Sequence, residues 1–416
     1  MAPEDLRPKP QPKTKAWSSA TEFLGLERDV AVLLMAIVVA STGERVWFAF
    51  IPKYLEVLGA GPGMIGLFDA VYVFLGAVYA YPGAWIADRF GQRSALLGFT
   101  LVALLGYLLL FFFPSVPMVV FGAFLYLAWS SFSLPVTFQV VATRLRAEKH
   151  TMGIGVQSLV RRIPIMIGPV IGGTLVARAG WREGIHQALA VCIGLSVLAL
   201  VVQALLREEP RQKRVAPRES PLGFFGVLRA FPGDLRELLV SDILIRFCER
   251  IPYAFLLLWA VNHVGISADR YGLLVSIEML TAIACYIPVA HLADRYGQRP
   301  FVFATFIFFT LFPLSLLFAT SYPMLIFAFF LRGLKEFGEP SRKALIIKLS
   351  PAALQSRAYG VYYLVRDSIV TFGSFLGAWL WKISPQTNFA TAAAFGAVGT
   401  VWFVWRWRVR GAATPS

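Results

Sequence analysis

Ala87-Asp88-Arg89-Phe90-Gly91-Gln92-Arg93 returns almost unchanged as Ala293-Asp294-Arg295-Tyr296-Gly297-Gln298-Arg299, 206 residues later in a chain of 416. Each copy follows one apolar run and precedes another. The runs are long enough to cross a hydrocarbon core, which takes about 20 residues of helix. A charged, glycine-turned loop between membrane-length segments, once in each half, predicts a duplicated membrane protein.

Composition points the same way. The chain is 57% hydrophobic and 15% charged, with a mean hydropathy of +0.65, too apolar for a soluble fold. A net charge of +15 can signal nucleic-acid binding, but the basic residues sit in loops between apolar runs. Membrane topology accounts for them there, and no nucleic-acid partner is expected. Cys192, Cys248 and Cys285 stand singly, and His150, His186, His263 and His291 are scattered, so neither a disulfide framework nor a metal site is expected. No nucleophile–base arrangement and no phosphate-cradling glycine loop is present, which argues against an enzyme and a bound cofactor.

Twelve helical spans are predicted, near 29–52, 66–88, 94–113, 117–143, 150–178 and 185–206 in the first half and 238–262, 269–290, 300–319, 322–347, 354–381 and 386–406 in the second. Residues 1–28 read as a Pro- and Lys-rich cytoplasmic tail without a signal peptide, 29–206 and 238–406 as six-helix bundles, and 407–416 as a second cytoplasmic tail. Residues 207–237 read as a cytoplasmic linker, with Arg211, Lys213, Arg214 and Arg218 among prolines. Placing the N-terminus inside puts 24 of the 39 basic residues in the tails and loops of that side or in the span turns bordering them. The opposite loops then hold only Lys53, Arg178, Arg182, Arg270 and Lys382, an asymmetry that places both termini in the cytoplasm of a plasma membrane, the inner membrane in a bacterium.

The duplication runs deeper than the loops. An offset of 205 brings Glu44-Arg45 onto Glu249-Arg250, Pro135 onto Pro340, and Leu159-Val160-Arg161-Arg162 onto Leu364-Val365-Arg366-Asp367. Parallel repeats of this kind imply two bundles related by an axis along the membrane normal.

Gly83-x-x-x-Ala87-Asp88-Arg89-x-Gly91-Gln92-Arg93 resembles the loop 2–3 motif of the major facilitator superfamily, and the second copy occupies loop 8–9 as in that family. The resemblance extends over about residues 29–406. It implies an all-α membrane fold of two pseudo-symmetric six-helix bundles and secondary transport by alternating access. Gly91 permits a tight turn, while the acidic and basic residues of the loop suit helix ends and the facing half. The family's role for this cluster is a cytoplasmic latch, here Asp88, Arg89, Gly91 and Arg93, with Asp294, Arg295, Gly297 and Arg299 as the second set. Gly168-Pro169-Val170-Ile171-Gly172-Gly173 in span 5 resembles the family's antiporter motif, in which Gly168, Pro169, Gly172 and Gly173 let a kinked helix pack closely. The twelve-helix drug:proton antiporter branch is the nearest by that motif. That branch carries an Arg in the first half of span 4, where this chain has Tyr126-Leu127-Ala128-Trp129; a comparable cation stands at Arg332-Gly333 in span 10.

Charge within the spans is the main chemical signal. Glu44, Arg45, Arg161, Arg162, Glu249, Arg250, Arg332, Lys335, Glu336, Arg366 and Asp367 fall near their span centres. Each charge facing lipid there costs about 2.5–3.5 kcal/mol, so these side chains face one another or water. They are the candidate substrate and proton pathway, converging from spans 1, 5, 7, 10 and 11. Arg332, Lys335, Glu339 and Arg342 share one face of span 10, and Asp242, Arg246 and either Glu249 or Arg250 make a similar stripe on span 7. Structural ion pairing competes with function at each position. Trp47, Phe48 and Phe50, and Tyr253, Phe255 and Trp259, follow the two Glu-Arg pairs; Phe50 and Trp259 read as interfacial belt residues. Asp69 and Glu278 lack sequence-local cations and suit proton carriage, ranked behind the deeper Glu44 and Glu249.

These readings converge on a monomeric, proton-coupled exporter of a small amphiphilic, anionic or zwitterionic compound, with protons and the lipid bilayer as its other partners. An importer of a small organic anion or phosphate ester, clamped by Arg161, Arg162 and Arg366, is the alternative. A transport-incompetent membrane sensor is the remote one.

Overall fold

The computed structural model describes residues 28–133, 160–206, 223–351 and 354–411. The expectations for the tail 1–27, for Pro135, for the basic linker 207–222 and for residues 412–416 lie outside them. Among the described residues every regular element is helical.

Span 1 is Arg28–Phe48, continued by Ile51–Val57 after a break at Ala49 and Phe50, where Pro52 opens the second piece. Pro62–Phe90, Gln92–Phe112 and Val116–Tyr126 form spans 2 to 4, the last continuing to Ser133. Arg162–Ala179 and Trp181–Ala204 complete the first half. In the second half Gly233–Tyr253 runs on through Leu256–Leu258 and a π-helical turn, Trp259–His263. Ala268–Tyr296 and Arg299–Phe318 follow as spans 8 and 9. Span 10 is split into Tyr322–Leu334 and Glu339–Leu349, and Gln355–Ile383 and Pro385–Gly411 close the chain.

The linker is shorter than its sequence suggests: Phe224–Arg229 is a short helix and span 7 already begins at Gly233. The repeated loops shrink too. Asp88 and Arg89 lie in the last turn of span 2, and Gly91 alone, at φ +91°, turns the chain into span 3; Gly297, at φ +84°, does the same for spans 8 and 9. A side chain at either glycine would strain the backbone.

Eight described helices are long and apolar enough to cross a membrane, namely spans 1 to 6, 9 and 12. Spans 7, 8 and 11 are more polar on average than any span of the first half, and span 10 is broken into two short pieces. The halves meet where span 5 packs on span 8 and span 2 on span 11. Small residues set these approaches: Gly173 leaves no room for a Cβ against the Ala268 carbonyl, Gly272 none against Pro169, and Gly66 none against Ala378. The same device repeats inside each half, with Gly172 against Val46 and Gly377 against Ile251, positions related by the 205-residue offset. Phe50 and Trp259 are buried in this packing, Phe50 against Trp181 and Tyr271 and Trp259 against Phe389, so the interfacial-belt reading is corrected for both.

Candidate functional site

Between the halves lies a cavity of about 280 Å³ walled by spans 1, 2, 5, 7, 8 and 10. Span 1 contributes Arg45 and Phe48, span 2 Phe68, Asp69 and Tyr72, and span 5 Ile165 and Pro169. The second half contributes Glu249 and Tyr253, then Tyr271 and Glu278, then Arg332, Lys335 and Glu336. Lys335 and Glu336 sit in the break of span 10, which Pro340 at the start of the next piece helps to impose. The wall is mixed: aromatic faces with a few convergent charges, the usual make-up of a small-molecule site.

Most of those charges are matched. Asp69 forms a buried ion pair with Arg250 from the opposite half and accepts a hydrogen bond from Ser374 Oγ at 2.6 Å. Arg250 also lies over the Tyr253 ring, 4.4 Å from its centre. Glu278 binds Arg332 at 2.8 Å and Lys335 at 3.5 Å; Glu249 binds Lys335 at 2.6 Å and Arg246 at 2.7 Å. Glu336 crosses to Arg162 of the first half at 3.1 Å. Arg45 differs. It lies beside Phe48, 5.3 Å from the ring centre, and among the described residues no carboxylate comes within ion-pair distance of its guanidinium.

From Glu249 the pairing continues away from the cavity. Arg246 reaches Glu339 at 3.2 Å, Glu339 holds Arg342 at 2.6 Å, and Arg342 pairs with Asp242. Asp242 also meets Arg366 at 3.4 Å and the Tyr362 hydroxyl at 3.2 Å, and Arg366 binds Asp367 at 2.7 Å. Counted from Arg332 through Glu278 and Lys335 to Asp367, five bases alternate with five acids, so the run is neutral as a unit, and each ion has the partner that burial in a low dielectric demands. Arg366 and Asp367 therefore sit in this network and off the cavity wall, and the expected convergence of span 11 on the cavity is replaced by spans 2 and 8. Arg332, Lys335, Glu339 and Arg342 do share one network, as their spacing implies, although the helix breaks between them.

The two Glu-Arg dipeptides do not behave as local ion pairs. Successive helical residues point about 100° apart, so Glu249 joins Arg246 and Lys335 while Arg250 crosses to Asp69. Glu44 points away from the cavity into the first bundle. It is 1% exposed, and neither carboxylate oxygen accepts a hydrogen bond from a described residue. Around it pack Trp47, Tyr107 and Tyr126; the Tyr107 hydroxyl donates to the Tyr126 carbonyl at 3.2 Å and the Tyr126 hydroxyl to the Val119 carbonyl at 2.7 Å. Arg161 lies off the cavity wall and Arg162 stands behind Glu336. Asp69 and Glu278, which the sequence places behind Glu44 and Glu249 as proton sites, are both buried on the cavity wall.

At the bundle end opposite the Gly91 and Gly297 turns, a polar cluster joins the halves. Lys53 pairs with Glu56 and reaches Asn262 Oδ1 at 2.6 Å, and Asn262 Nδ2 donates to Glu56 Oε1 at 2.9 Å. Sequence reading treated Lys53 only as a loop charge; Asn262 in the π turn carries no signal by which it could be found. Below it, Ser276 Oγ donates to the Met166 carbonyl at 2.5 Å, and Gly168 packs on Arg45 and Val46. At the other end Arg93 donates to the Ala204 carbonyl at 2.8 Å and Arg299 lies 4.0 Å from Asp234, each within its own half. Arg89 lies over Trp85 and Phe90, and Arg295 over Tyr296. The Asp88 and Asp294 side chains are outside the described residues.

Comparison with known proteins gives this geometry a family context. The profile of the Major Facilitator Superfamily matches residues 33–248 and 238–416. The chain is 26% identical over 292 residues to a multidrug resistance protein B homolog of Mycobacterium tuberculosis, covering 69% of this chain and 48% of that protein. It thus spans about half the length of that relative. It is 25% identical over 245 residues to sugar efflux transporter A of Escherichia coli, covering 58% of this chain and 61% of that one. Among solved structures, the nucleoside transporter NupG superposes with a TM-score of 0.73 at 11% identity, covering 92% of this chain and 99% of that one. A peptide transporter POT in complex with sulfate superposes at 0.75 and 15% identity, covering 92% and 94%. At these identities the superpositions establish the fold.

Proposed function

The chain belongs to the Major Facilitator Superfamily, and from that premise we propose that it is a secondary transporter working by alternating access, exporting a small amphiphilic compound that is anionic or zwitterionic. The observation that carries the reading is the cavity between the halves, with aromatic walls and charges from both halves. Binding at that interface couples to rocking of one bundle against the other, because the cargo touches both. The cross-half cluster Lys53–Glu56–Asn262 and the close approaches at Gly173, Gly272 and Gly66 support a state closed at that end. The charge split of the loops supports placing that end outside and both termini in the cytoplasm.

Export in exchange for protons is supported by the span 5 glycines, of which Gly168 and Gly172 pack on span 1 and Gly173 seals against span 8 of the other half, and by the efflux names of two relatives. Glu44, buried without a hydrogen-bond partner among the described residues, is the leading proton carrier. A second reading, uptake of an organic anion together with a proton, is favoured by one observation: Glu44 stands behind Arg45, so a neutral Glu44 leaves the Arg45 charge unopposed toward the cavity. Purified protein in proteoliposomes with a pH-sensitive dye inside separates the two. Cargo entering the vesicle raises the internal pH under exchange and lowers it under cotransport; absence of any saturable uptake across a panel of amphiphiles defeats both. Cysteine labelling from outside intact cells, on a background lacking Cys192, Cys248 and Cys285, reaches Trp181→Cys and misses Val215→Cys in the proposed orientation; the reverse pattern overturns it.

A further inference from the structure

The cavity holds a broken symmetry. The offset of 205 residues that relates the halves brings Arg45 onto Arg250 and Gly168 onto Gly373. The packing keeps that relation, since Gly168 lies against Arg45 and Gly373 against Arg250. Arg250 receives its carboxylate across the interface, from Asp69 on span 2. The matching carboxylate for Arg45 would come from span 8. The offset of 205 or 206 brings Asp69 onto Leu274 or Val275, both apolar. Glu278, one turn further along span 8, is already held by Arg332 at 2.8 Å and Lys335 at 3.5 Å. The hydroxyl that supports the pair in one half, Ser374, is replaced by Pro169 in the other. Arg45 thus keeps the guanidinium of a cross-half ion pair but has no carboxylate across the interface among the described residues, and the space left in front of it is the cavity.

We infer that Arg45 is the receptor for a single anionic group of the cargo, a carboxylate or a phosphate, which takes at Arg45 the place that Asp69 takes at Arg250. Phe48, Phe68 and Tyr72 line the cavity beside it and receive an aromatic or otherwise apolar body. The cargo class is an amphiphilic monoanion: each of the remaining wall charges already has an ion-pair partner, so a second anionic group would meet Glu249, Glu278 or Asp69 without a cation to spare. A guanidinium facing a carboxylate in a site of low dielectric favours it strongly over an isosteric neutral group.

The inference rests on the transporter reading for its meaning, but binding tests it without transport. The probes are naphthoate, naphthylmethanol and naphthylmethylammonium, titrated into the full-length protein in nanodiscs by calorimetry. The wild type binds naphthoate about tenfold or more tightly than the alcohol, and the ammonium compound no better than the alcohol. Arg45→Gln abolishes that preference, bringing naphthoate within about twofold of the alcohol, whose own affinity is unchanged. Arg45→Lys keeps the charge and retains a reduced preference, and it serves if the Gln variant does not fold. Equal binding of the three probes to the wild type, or an unchanged preference in Arg45→Gln, overturns the inference. A preference retained in Arg45→Lys together with its loss in Gln supports a charge receptor; loss of all binding in both variants overturns an anion-specific role and makes Arg45 a structural residue. A protein that binds naphthoate through Arg45 and transports nothing would refute the transporter reading and leave the receptor intact; one that transports neutral amphiphiles and ignores naphthoate would do the opposite.

Discussion

Glu44-Arg45 and Glu249-Arg250 are the same dipeptide at related positions in spans 1 and 7, and the two halves use it in opposite ways. Glu249 is bound by Arg246 and Lys335, and Arg250 by Asp69. Glu44 has no hydrogen-bond partner among described residues, and Arg45 faces an open cavity. The cause lies in the neighbours. With the 205-residue offset, Arg246 and Lys335 correspond to Ser41 and Ser130, and Asp242 and Arg332 to Ile37 and Leu127. The second half surrounds its charges with counter-ions, so spans 7, 8 and 11 are more polar on average than any span of the first half. Close packing survived duplication and charge pairing did not: Gly172 on Val46 and Gly377 on Ile251 are matched contacts in the two bundles. One half is then a neutral, cross-braced scaffold, and the other presents an unmatched charge where a ligand can reach it.

That contrast can be broken at its strongest point first. Asp242→Ala removes the buried carboxylate that Arg342 and Arg366 share, leaving Glu339 and Asp367 to hold them. Arg250→Gln strands Asp69 without its cation. Each is expected to destabilise the protein by about 3–5 kcal/mol, read as a large fall in unfolding temperature in detergent; a loss under about 1 kcal/mol would show the second-half network to be dispensable. Next come the glycines. Gly172→Ala and Gly377→Ala should cost about 1–3 kcal/mol each, and by similar amounts, since both push a methyl into a carbonyl of the neighbouring helix. Unequal costs would mean that the packing symmetry is only apparent.

Glu44→Gln and Arg45→Gln should change stability by less than about 1 kcal/mol, because neither breaks a described ion pair. Their effects fall on function. Glu44→Gln should keep ligand binding and lose its pH dependence, measured as affinity across a pH series; an unchanged pH profile would remove Glu44 from the proton path. The smallest stability effect is expected for Asp88→Asn, under about 0.5 kcal/mol, with slower transport if this turn gates conformational exchange. Normal transport rates in that variant would leave Asp88 a topology residue only.

Repeat spacing, hydropathy and loop charge suffice for the fold class, because a bilayer leaves helices as the means of satisfying backbone groups in each apolar run. The glycine turns were equally legible, since φ near +90° at Gly91 and Gly297 is open to glycine at little cost. Interior charge named most of the site, because charge at membrane depth is rare enough to be a signal by itself. What sequence could not supply was who meets whom. Asp69 and Arg250 are 181 residues apart and Glu336 and Arg162 are 174 apart. No local periodicity relates them; they meet because spans 2 and 11, and spans 5 and 8, pack through glycines. Adjacency in sequence misled for the same reason, since a helix turns Glu249 and Arg250 toward different partners. The residue types and their depth were written in the chain, but whether a charge is answered, as Arg250 is, or left facing a cavity, as Arg45 is, depends on the other bundle, and only the docking of the two halves decides it.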